Sequence, residues 1–294
     1  MRFLASLING ISLGSVYAII ALGYTMVYGI AKMLNFAHGD VIMVGAYAAF
    51  VMLNQIGLPV YVAIPVSMAV CTVLGLVIER FAYRPLRKAA SPLAVLITAI
   101  GVSYLLQNLA LLIFGANTRS FSSVVHLKSL RLFDGGIIIT GEMIVNAVVC
   151  VAIMAGLTLF VNKTKQGQAM RAVSEDKGAA QLMGINANGT IALTFAIGAA
   201  LAAVAGVLMC SSYPALTPYT GAMPGIKAFV AAVFGGIGSI PGAFIGGILL
   251  GVIEVLGKSY ISSQLGDAIV FSVLIIVLLV KPTGILGKNI QEKV

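Results

Sequence analysis

Apolar segments long enough to cross a bilayer recur along the whole of this 294-residue chain. About 20 apolar residues are needed to span the hydrocarbon of a membrane. Charged residues make up only 9% of the sequence, whereas a soluble domain devotes about 25% of its residues to charge. A water-facing surface cannot be built from so few charges, so we expect an all-α polytopic membrane protein with eight or nine transmembrane helices. The candidate spans are residues 7–28, 41–55, 60–78, 93–114, 143–161, 190–210, 226–237, 243–256 and 268–280.

Two of these candidate spans, 226–237 and 243–256, are short and are joined by the glycine-rich stretch "GGIGSIPG". The sequence predicts that they form a tight hairpin of half-length or tilted helices, which is why the span count is eight or nine. In lipid, small residues let helix backbones approach closely. The hairpin glycines are Gly235, Gly236, Gly238 and Gly242.

The basic residues indicate which loops face the cytoplasm. They collect in three segments, "ERFAYRPLRKAASP", "NKTKQGQAMRAVSEDK" and the C-terminal tail 281–294, which the positive-inside bias assigns to the cytoplasmic side. Alternating the spans then puts residues 115–141 and 211–223 outside, together with the N-terminus, although Arg2 mildly disfavours that placement. The net charge of +9 therefore reflects topology, and a nucleic-acid partner is not expected.

The stretch "AKMLNFAHGDVIMVGAY" places polar groups at the mouth of a span. Asn35, His38 and Asp40 lie there, with Phe36 among them. An ionisable residue at membrane depth costs about 2.5–3.5 kcal/mol on insertion scales, so it usually faces a cavity, a partner or the interface. The stretch fits a broken helix that lines a translocation route, and it fits equally a helix that starts at the membrane surface with Asp40 near the positive end of the dipole.

Two polar side chains within another span have two interpretations each, and a third, Lys227, has one. Gln107 and Asn108 could line the same route, but amides between membrane helices often serve only as interhelical hydrogen-bond partners. Lys227 opens an apolar segment, and we expect it to extend its ammonium group toward the outer surface.

The loop 163–189, which we call the coupling segment, is longer than a simple connection requires. Ser174 is a suitable N-cap, and Glu175 and Asp176 would occupy a first turn where negative charge meets the helix dipole. Gly184 fits the position that ends a helix. The sequence therefore predicts a short helix over 175–183 with an apolar side, and this favours docking into another protein over lying on lipid.

No catalytic or nucleotide-binding constellation is present in the sequence. "GVIEVLGKS" has Val252 where a phosphate-binding loop needs glycine, and "GGIGSIPG" has Pro241 where a dinucleotide motif needs glycine. No metal-ligand motif or nucleophile motif occurs, so neither enzyme activity nor a metal site is expected. If ATP drives this protein, another chain must hydrolyse it.

Five stretches closely resemble the H-type permease subunits of the bacterial branched-chain amino-acid (leucine/isoleucine/valine) ABC importer family. They are "SLGSVYAIIALGYTMVYGIAKMLNFAHGD", "ERFAYRPLR", "RAVSEDKGAAQLMGINANGTIALTFAIGAALAAVAGVL", "GIKAFVAAVFGGIGSIPGAFIGG" and "VLLVKPTGILG". The likeness extends over nearly the whole chain, and the external loop around "SFSSVVHLKSLRLFDGG" is the least similar part.

The resemblance implies a single transmembrane permease domain over residues 1–294, in the cytoplasmic (inner) membrane of a bacterial cell. It implies a fold similar to the import permeases for ribose and vitamin B12. The implied partners are a homologous second permease, two cytosolic ATPase subunits that use the ATP, an extracytoplasmic substrate-binding protein and the lipid bilayer. This chain would bind no cofactor itself. The implied coupling residues are Arg171, Ser174, Glu175, Asp176, Ala179, Ala180, Leu182 and Gly184.

Two alternatives remain open at this level. Related permeases with the same motifs could carry urea, short amides or other amino acids. A stand-alone secondary transporter or channel is a different class, and it would need coupling-ion carboxylates within the membrane, for which Glu254 is the single deep candidate in the sequence.

Overall fold

The computed structural model describes residues 2–88, 92–125, 127–132 and 137–287. Residues 288–294, which belong to the tail predicted to be cytoplasmic, lie outside the described residues. The helices are α1 (Arg2–Ala31), α2 (His38–Phe50), α3 (Val60–Ile78), α4 (Pro92–Phe114), α5 (Gly141–Lys163), α6 (Lys165–Glu175), α7 (Lys177–Leu182), α8 (Ala187–Ser212), α9 (Ala222–Gly235), α10 (Ile240–Tyr260) and α11 (Gly266–Val280). The strands are β1 (Arg119–Ser120), β2 (Leu130–Leu132), β3 (Ile137–Ile139) and β4 (Ala215–Leu216).

Across the described part of the chain, six helices are long and apolar enough to cross a membrane, namely α1, α3 with its continuation to Tyr83, α4, α5, α8 and α10. Helices α9 and α11 are apolar but shorter. A π-helical turn, Val51–Gln55, prolongs α2. The prediction of a helical polytopic membrane protein is confirmed, and the strands add only two short antiparallel ribbons to it, β1 with β4 and β2 with β3.

The glycine-rich hairpin departs from its predicted form in one arm. Helix α9 has 14 residues and is short, as expected. Helix α10 has 21 residues, which is enough for a full crossing, so of the two predicted forms, half-length or tilted, the half-length one is wrong for 243–256. The glycines of α10 do not interrupt it, because they are the sites where it packs closely against α1 and α9.

Helices α1 and α8 form the centre of the protein. Helix α8 packs against α1, α2 and α3, and a continuous run of α1 from Ser12 to Val27 is almost wholly buried. Helices α4 and α5 lie at the edges and expose large apolar side chains such as Leu112, Ile113 and Val148. Such apolar outer surfaces are expected where a helix faces lipid or another membrane subunit.

Glycine lets α1 and α10 pack backbone to backbone. A Cβ atom on Gly14 would lie 2.7 Å from the carbonyl oxygen of Ile248, and one on Gly251 would overlap the backbone of Gly14. Apolar contact between helices gives no advantage over contact with lipid tails, so this close approach is a main source of helix association in a membrane.

The three predicted cytoplasmic segments lie at one face of the protein. Arg87, after α3, donates from Nη1 to Oδ1 of Asn188 at the start of α8, over 2.7 Å. The tail donates from the N–H groups of Ile285 and Leu286 to carbonyls at the end of α9, each over 2.9 Å. We call this face, which carries α6 and α7, the docking face, and the opposite one, which carries the β1–β4 ribbon, the far face.

Candidate functional site

The coupling segment contains two helices, not one. Helix α6 begins after Thr164, whose hydroxyl accepts a hydrogen bond from the N–H of Gly167 over 3.0 Å. Met170 and Val173 of α6 are buried against the body of the protein. Arg171 and Glu175 are on the exposed side of this helix. Helix α6 therefore anchors the coupling segment, and α7 follows it at the surface.

The predicted N-cap, Ser174, is wrong. The Ser174 hydroxyl donates instead to the carbonyl of Arg171 over 2.7 Å, one turn back within α6. Asp176 caps α7, because its Oδ1 accepts from the N–H groups of Gly178 (2.7 Å) and Ala179 (3.0 Å). Its backbone is extended, with φ −149° and ψ 112°, which is the conformation that an N-cap requires. Glu175 consequently ends α6 and does not open α7.

The predicted glycine stop lies at Gly184, where φ is +82°. The N–H of Gly184 donates to the carbonyl of Gln181, and that of Ile185 donates to the carbonyl of Ala180, each over 3.0 Å. These two bonds are those of a Schellman motif, which satisfies the last carbonyls of a helix. Helix α7 therefore ends at a position whose left-handed backbone conformation is readily adopted by glycine.

The surface of α7 exposes large apolar side chains to solvent. Leu182 is 90% exposed and Met183 is 83% exposed. Ala179 is exposed as well, whereas Ala180 is 4% exposed and packs inward. An exposed apolar pair at the end of a rigidly capped helix is a typical feature of a protein interaction surface.

A buried ion pair ties the docking face to the membrane helices. Arg87 pairs with Glu79 at the end of α3, and both side chains are almost completely buried. Burial lowers the pKa of Arg87 from its ordinary value, although Glu79 acts to raise it. Burial, and secondarily the charge of Arg87, also lowers the pKa of Lys177 in α7. Because Arg87 also bonds to Asn188, it links α3 to the start of α8.

The path candidates fall into two groups in the structure. Gln107 Nε2 donates to Oδ1 of Asp40 over 2.9 Å, although Asp40 is almost completely buried. Asn35 is joined instead to Tyr83, whose hydroxyl donates to Oδ1 of Asn35 over 2.9 Å. Asn108 is exposed and donates to the carbonyl of Tyr104 within its own helix. The predicted set is thus only partly brought together.

The start of α2 lies inside the protein. The ring of His38 lies 4.6 Å from that of Tyr24, centroid to centroid, and His38 Nε2 has no hydrogen-bond partner among the described residues. Phe36 packs on Phe229 of α9, with ring centroids 5.4 Å apart. A Cβ on Gly39 would lie 2.7 Å from the carbonyl oxygen of Gly221, just before α9. The N-terminal ends of α2 and α9 are therefore in direct backbone contact.

The hairpin glycines form the turn between α9 and α10. Gly236 and Gly238 have φ values of +106° and +93°, which only glycine adopts readily. A Cβ on Gly235, the last residue of α9, would overlap the carbonyl of Gly242 in the first turn of α10. The two helices are therefore in backbone contact beside the turn.

Sequence reasoning missed an ionic cluster toward the far face, formed by Lys227, Glu254, Lys258 and Asp267. Lys227 is 6% exposed and pairs with Glu254 and Asp267, so the prediction that it extends toward the outer surface is wrong. The carboxylates of Glu254 and Asp267 lie within reach of the Lys227 ammonium group. Pairing with them takes the place of contact with water at the membrane surface. The four-residue spacing of Glu254 and Lys258 was the one local signal in the sequence.

The long apolar helices define a multi-pass membrane protein. The chain belongs to the family described as branched-chain amino acid transport system / permease component, whose model matches residues 6–279. It is 46% identical to the high-affinity branched-chain amino acid transport system permease protein BraD of Pseudomonas aeruginosa, covering 100% of this chain and 98% of the relative. It is 45% identical to the corresponding protein LivH of Escherichia coli K12, with the same coverage.

A solved structure with the same fold is similar at low sequence identity. PsaBC from Streptococcus pneumoniae, in complex with Fab, gives a TM-score of 0.50 at 16% identity. The match covers 96% of this chain and 93% of the other. At this identity the similarity concerns the fold alone.

Proposed function

We propose that this chain is the permease subunit of an ATP-driven importer of branched-chain amino acids and forms half of its translocation path. The family match over residues 6–279 carries the proposal, because full-length relatives at 45–46% identity are named as high-affinity branched-chain amino acid permeases. We propose that residues 1–294 form a single transmembrane permease domain in the cytoplasmic (inner) membrane of a bacterial cell.

Helix α7 is proposed to be the coupling helix that docks in a groove of a separate ATPase. The exposure of Leu182 and Met183 at its end supports this, because a hydrophobic pair of this kind gains most by burial in a partner. Arg171, Glu175 and Ala179 are exposed beside it and would contact the same partner, while Ser174, Asp176, Ala180 and Gly184 hold the segment in shape. ATP would be bound and hydrolysed by the partner, and this chain would hold no cofactor.

Further partners follow from the arrangement of a transport system. A homologous second permease would complete the path, two ATPase subunits would bind the docking faces of the two permeases, and a substrate-binding protein would deliver cargo at the far face. The exposed apolar sides of α4 and α5 are available to lipid or to the second permease. Counting α2, α9 and α11 with the six long helices gives nine, or eight if the hairpin of α9 and α10 crosses once, in a fold similar to ribose and vitamin B12 import permeases.

The path is proposed to run beside the start of α2. Asp40 with Gln107, and His38 with Asn35, would present polar groups along an otherwise apolar wall, to which Phe36 contributes its ring. Asn108 is not part of this group, because it is exposed and bonds within its own helix. The turn at Gly235, Gly236, Gly238 and Gly242 would keep α9 and α10 together when the permease changes conformation.

Uptake in proteoliposomes tests the function. The permease pair, its ATPases and the binding protein encoded with it should accumulate leucine only when ATP is present. Uptake of urea or short amides without leucine uptake would favour the alternative cargo. Leucine flux through the permease pair without ATPases would favour a secondary transporter or channel.

A further inference from the structure

The ionic cluster is not explained by docking of an ATPase. Nζ of Lys227 lies 2.7 Å from Oε1 of Glu254 and 2.6 Å from Oδ1 of Asp267. Nζ of Lys258 lies 2.5 Å from the same Oε1 of Glu254. The hydroxyl of Tyr17 donates to Oε2 of Glu254 over 2.9 Å. Both oxygens of one buried carboxylate are therefore engaged, and two ammonium groups share one of them.

Burying charged side chains between three helices carries a desolvation penalty that apolar contacts between the same helices would avoid. Charged groups within membrane-spanning segments are costly and usually serve a pathway or a ligand. Apolar side chains of similar volume would often join α9, α10 and α11 at least as well as a buried ion pair does. The charges therefore indicate a function beyond packing.

A cavity of about 380 Å³ opens beside the cluster. Lys227, Glu254 and Lys258 line it, whereas Asp267 does not, so its ionic wall carries two positive charges and one negative charge. The apolar part of its lining includes Leu13, Val16 and Met209. This volume lies within the usual range of about 300–1,000 Å³ for small-molecule sites. Asp267, outside the cavity, pairs with Lys227, while the Lys258 side chain is 40% exposed. An ammonium group of this kind beside apolar side chains complements a small carboxylate that carries an aliphatic chain.

A second cavity, of about 610 Å³, adjoins the first and shares Leu13, Val16 and Tyr213 with it. Asn146 lines this second cavity and is 1% exposed. Its Nδ2 donates to the hydroxyls of Ser12 and Ser212, but its Oδ1 has no hydrogen-bond partner among the described residues. A buried acceptor without a partner is destabilising, and a ligand ammonium group would satisfy it.

We propose that these two cavities form a reception site for an aliphatic α-amino acid in its zwitterionic form. The carboxylate is held by Lys258 and Lys227 in the smaller cavity, against the apolar wall of Leu13 and Val16. In the larger cavity Asn146 Oδ1 offers an acceptor to the ammonium group as the substrate moves between the two. The site lies toward the far face, because Met209 and Asn146 are near the ends of α8 and α5 remote from the coupling segment. This inference rests on the proposed function and deepens it.

Lys258 is the residue to change, because it is partly exposed and its stem packs on Gly266. Lys258→Met keeps that stem and removes the charge, and Lys258→Arg keeps the charge. Lys128→Met is a matched control, since Lys128 is an exposed lysine in the loop between β1 and β2. The permease pair with its ATPases, in nanodiscs without binding protein, is studied by saturation-transfer NMR with leucine and with leucinamide, which lacks the carboxylate.

We expect saturation transfer to the leucine methyl groups in the wild type and in the arginine and Lys128→Met variants, with at least a threefold reduction in Lys258→Met. Leucinamide should give the weak signal in every variant. No transfer in the wild type, equal transfer in Lys258→Met, or leucinamide as strong as leucine would overturn the site. ATP-driven leucine uptake by the wild-type importer is measured in parallel. Its absence would overturn the proposed function, whereas normal uptake with an unchanged Lys258→Met signal would overturn the site alone.

Discussion

Nζ of Lys227 in α9 lies 2.7 Å from Oε1 of Glu254 in α10, and both side chains are almost completely buried. The pair joins the short arm of the hairpin to the long one at the end opposite the glycine turn. Removing one partner of such a pair leaves an uncompensated charge, while removing both leaves a neutral contact.

Lys227→Met should therefore destabilise the permease, but by less than the about 3–5 kcal/mol expected for an isolated buried pair, because Lys258 still pairs with Glu254. The double variant Lys227→Met/Glu254→Gln should be destabilised less, because Gln can still accept from Tyr17 and carries no charge. Thermal unfolding of the purified complex in detergent measures both. A double variant as unstable as the single one would show that packing, and not charge, holds this junction.

Asp176→Ala should destabilise α7 by about 1 kcal/mol, because it removes the acceptor of two backbone N–H groups. Ser174→Ala, two residues away, should have little effect, since its hydroxyl bonds only within α6. Hydrogen exchange of the amides of residues 178–185 compares the two variants. Faster exchange in Ser174→Ala than in Asp176→Ala would restore the cap assigned from sequence.

Gly184→Ala should weaken the end of α7 by about 1–2 kcal/mol, because the backbone there is left-handed at φ +82°. Gly178→Ala is the matched control within the same helix, and it should stabilise α7 by about 0.5–1 kcal/mol. ATPase capture in a pull-down should fall in the first variant and hold in the second. Equal capture of the ATPase by both variants would mean that the ATPase does not bind the end of α7.

Leu182→Gln should weaken capture of the ATPase by about tenfold or more, since burial of a leucine is worth about 1.5–3 kcal/mol. Leu130→Gln changes an exposed leucine outside the docking face, in β2, and should leave capture unchanged. Pull-down with leucine uptake measures both. Normal capture by Leu182→Gln would move the docking surface away from α7.

Gly39→Ala should cost about 1–3 kcal/mol by overpacking, because its Cβ would press on the backbone of Gly221. Gly101→Ala in α4 is the control, since among the described residues nothing lies within 4 Å of a Cβ added there. Thermal unfolding should separate the two. A stable Gly39→Ala variant would indicate that the ends of α2 and α9 are free to move apart.

Composition and periodicity were sufficient to predict a helical polytopic membrane protein, because twenty apolar residues in a row have few alternatives to crossing a bilayer. They were also sufficient for the Gly184 stop, which depends on one residue's backbone. They did not distinguish Ser174 from Asp176 as the cap, since both residue types cap helices and only the break after α6 decides between them.

The ionic cluster could not be predicted because its members come from three helices. Lys227, Glu254 and Asp267 meet only when α9, α10 and α11 are packed. The local sequence around a lysine near the end of an apolar segment is the same whether its ammonium group lies in water or pairs with a buried carboxylate. Long-range contacts of this kind determine the candidate reception site, and local patterns determine the coupling segment.

The exposed side chains of Leu182 and Met183 also bear on how the cell handles this subunit before assembly. If α7 docks an ATPase as proposed, a permease inserted without that partner would expose these apolar side chains to the cytosol, where chaperones and proteases remove incompletely assembled proteins. Coverage by the partner would then serve as the signal that a complex is complete. Balanced synthesis of the subunits becomes a condition for the permease to persist, and orphan copies are removed.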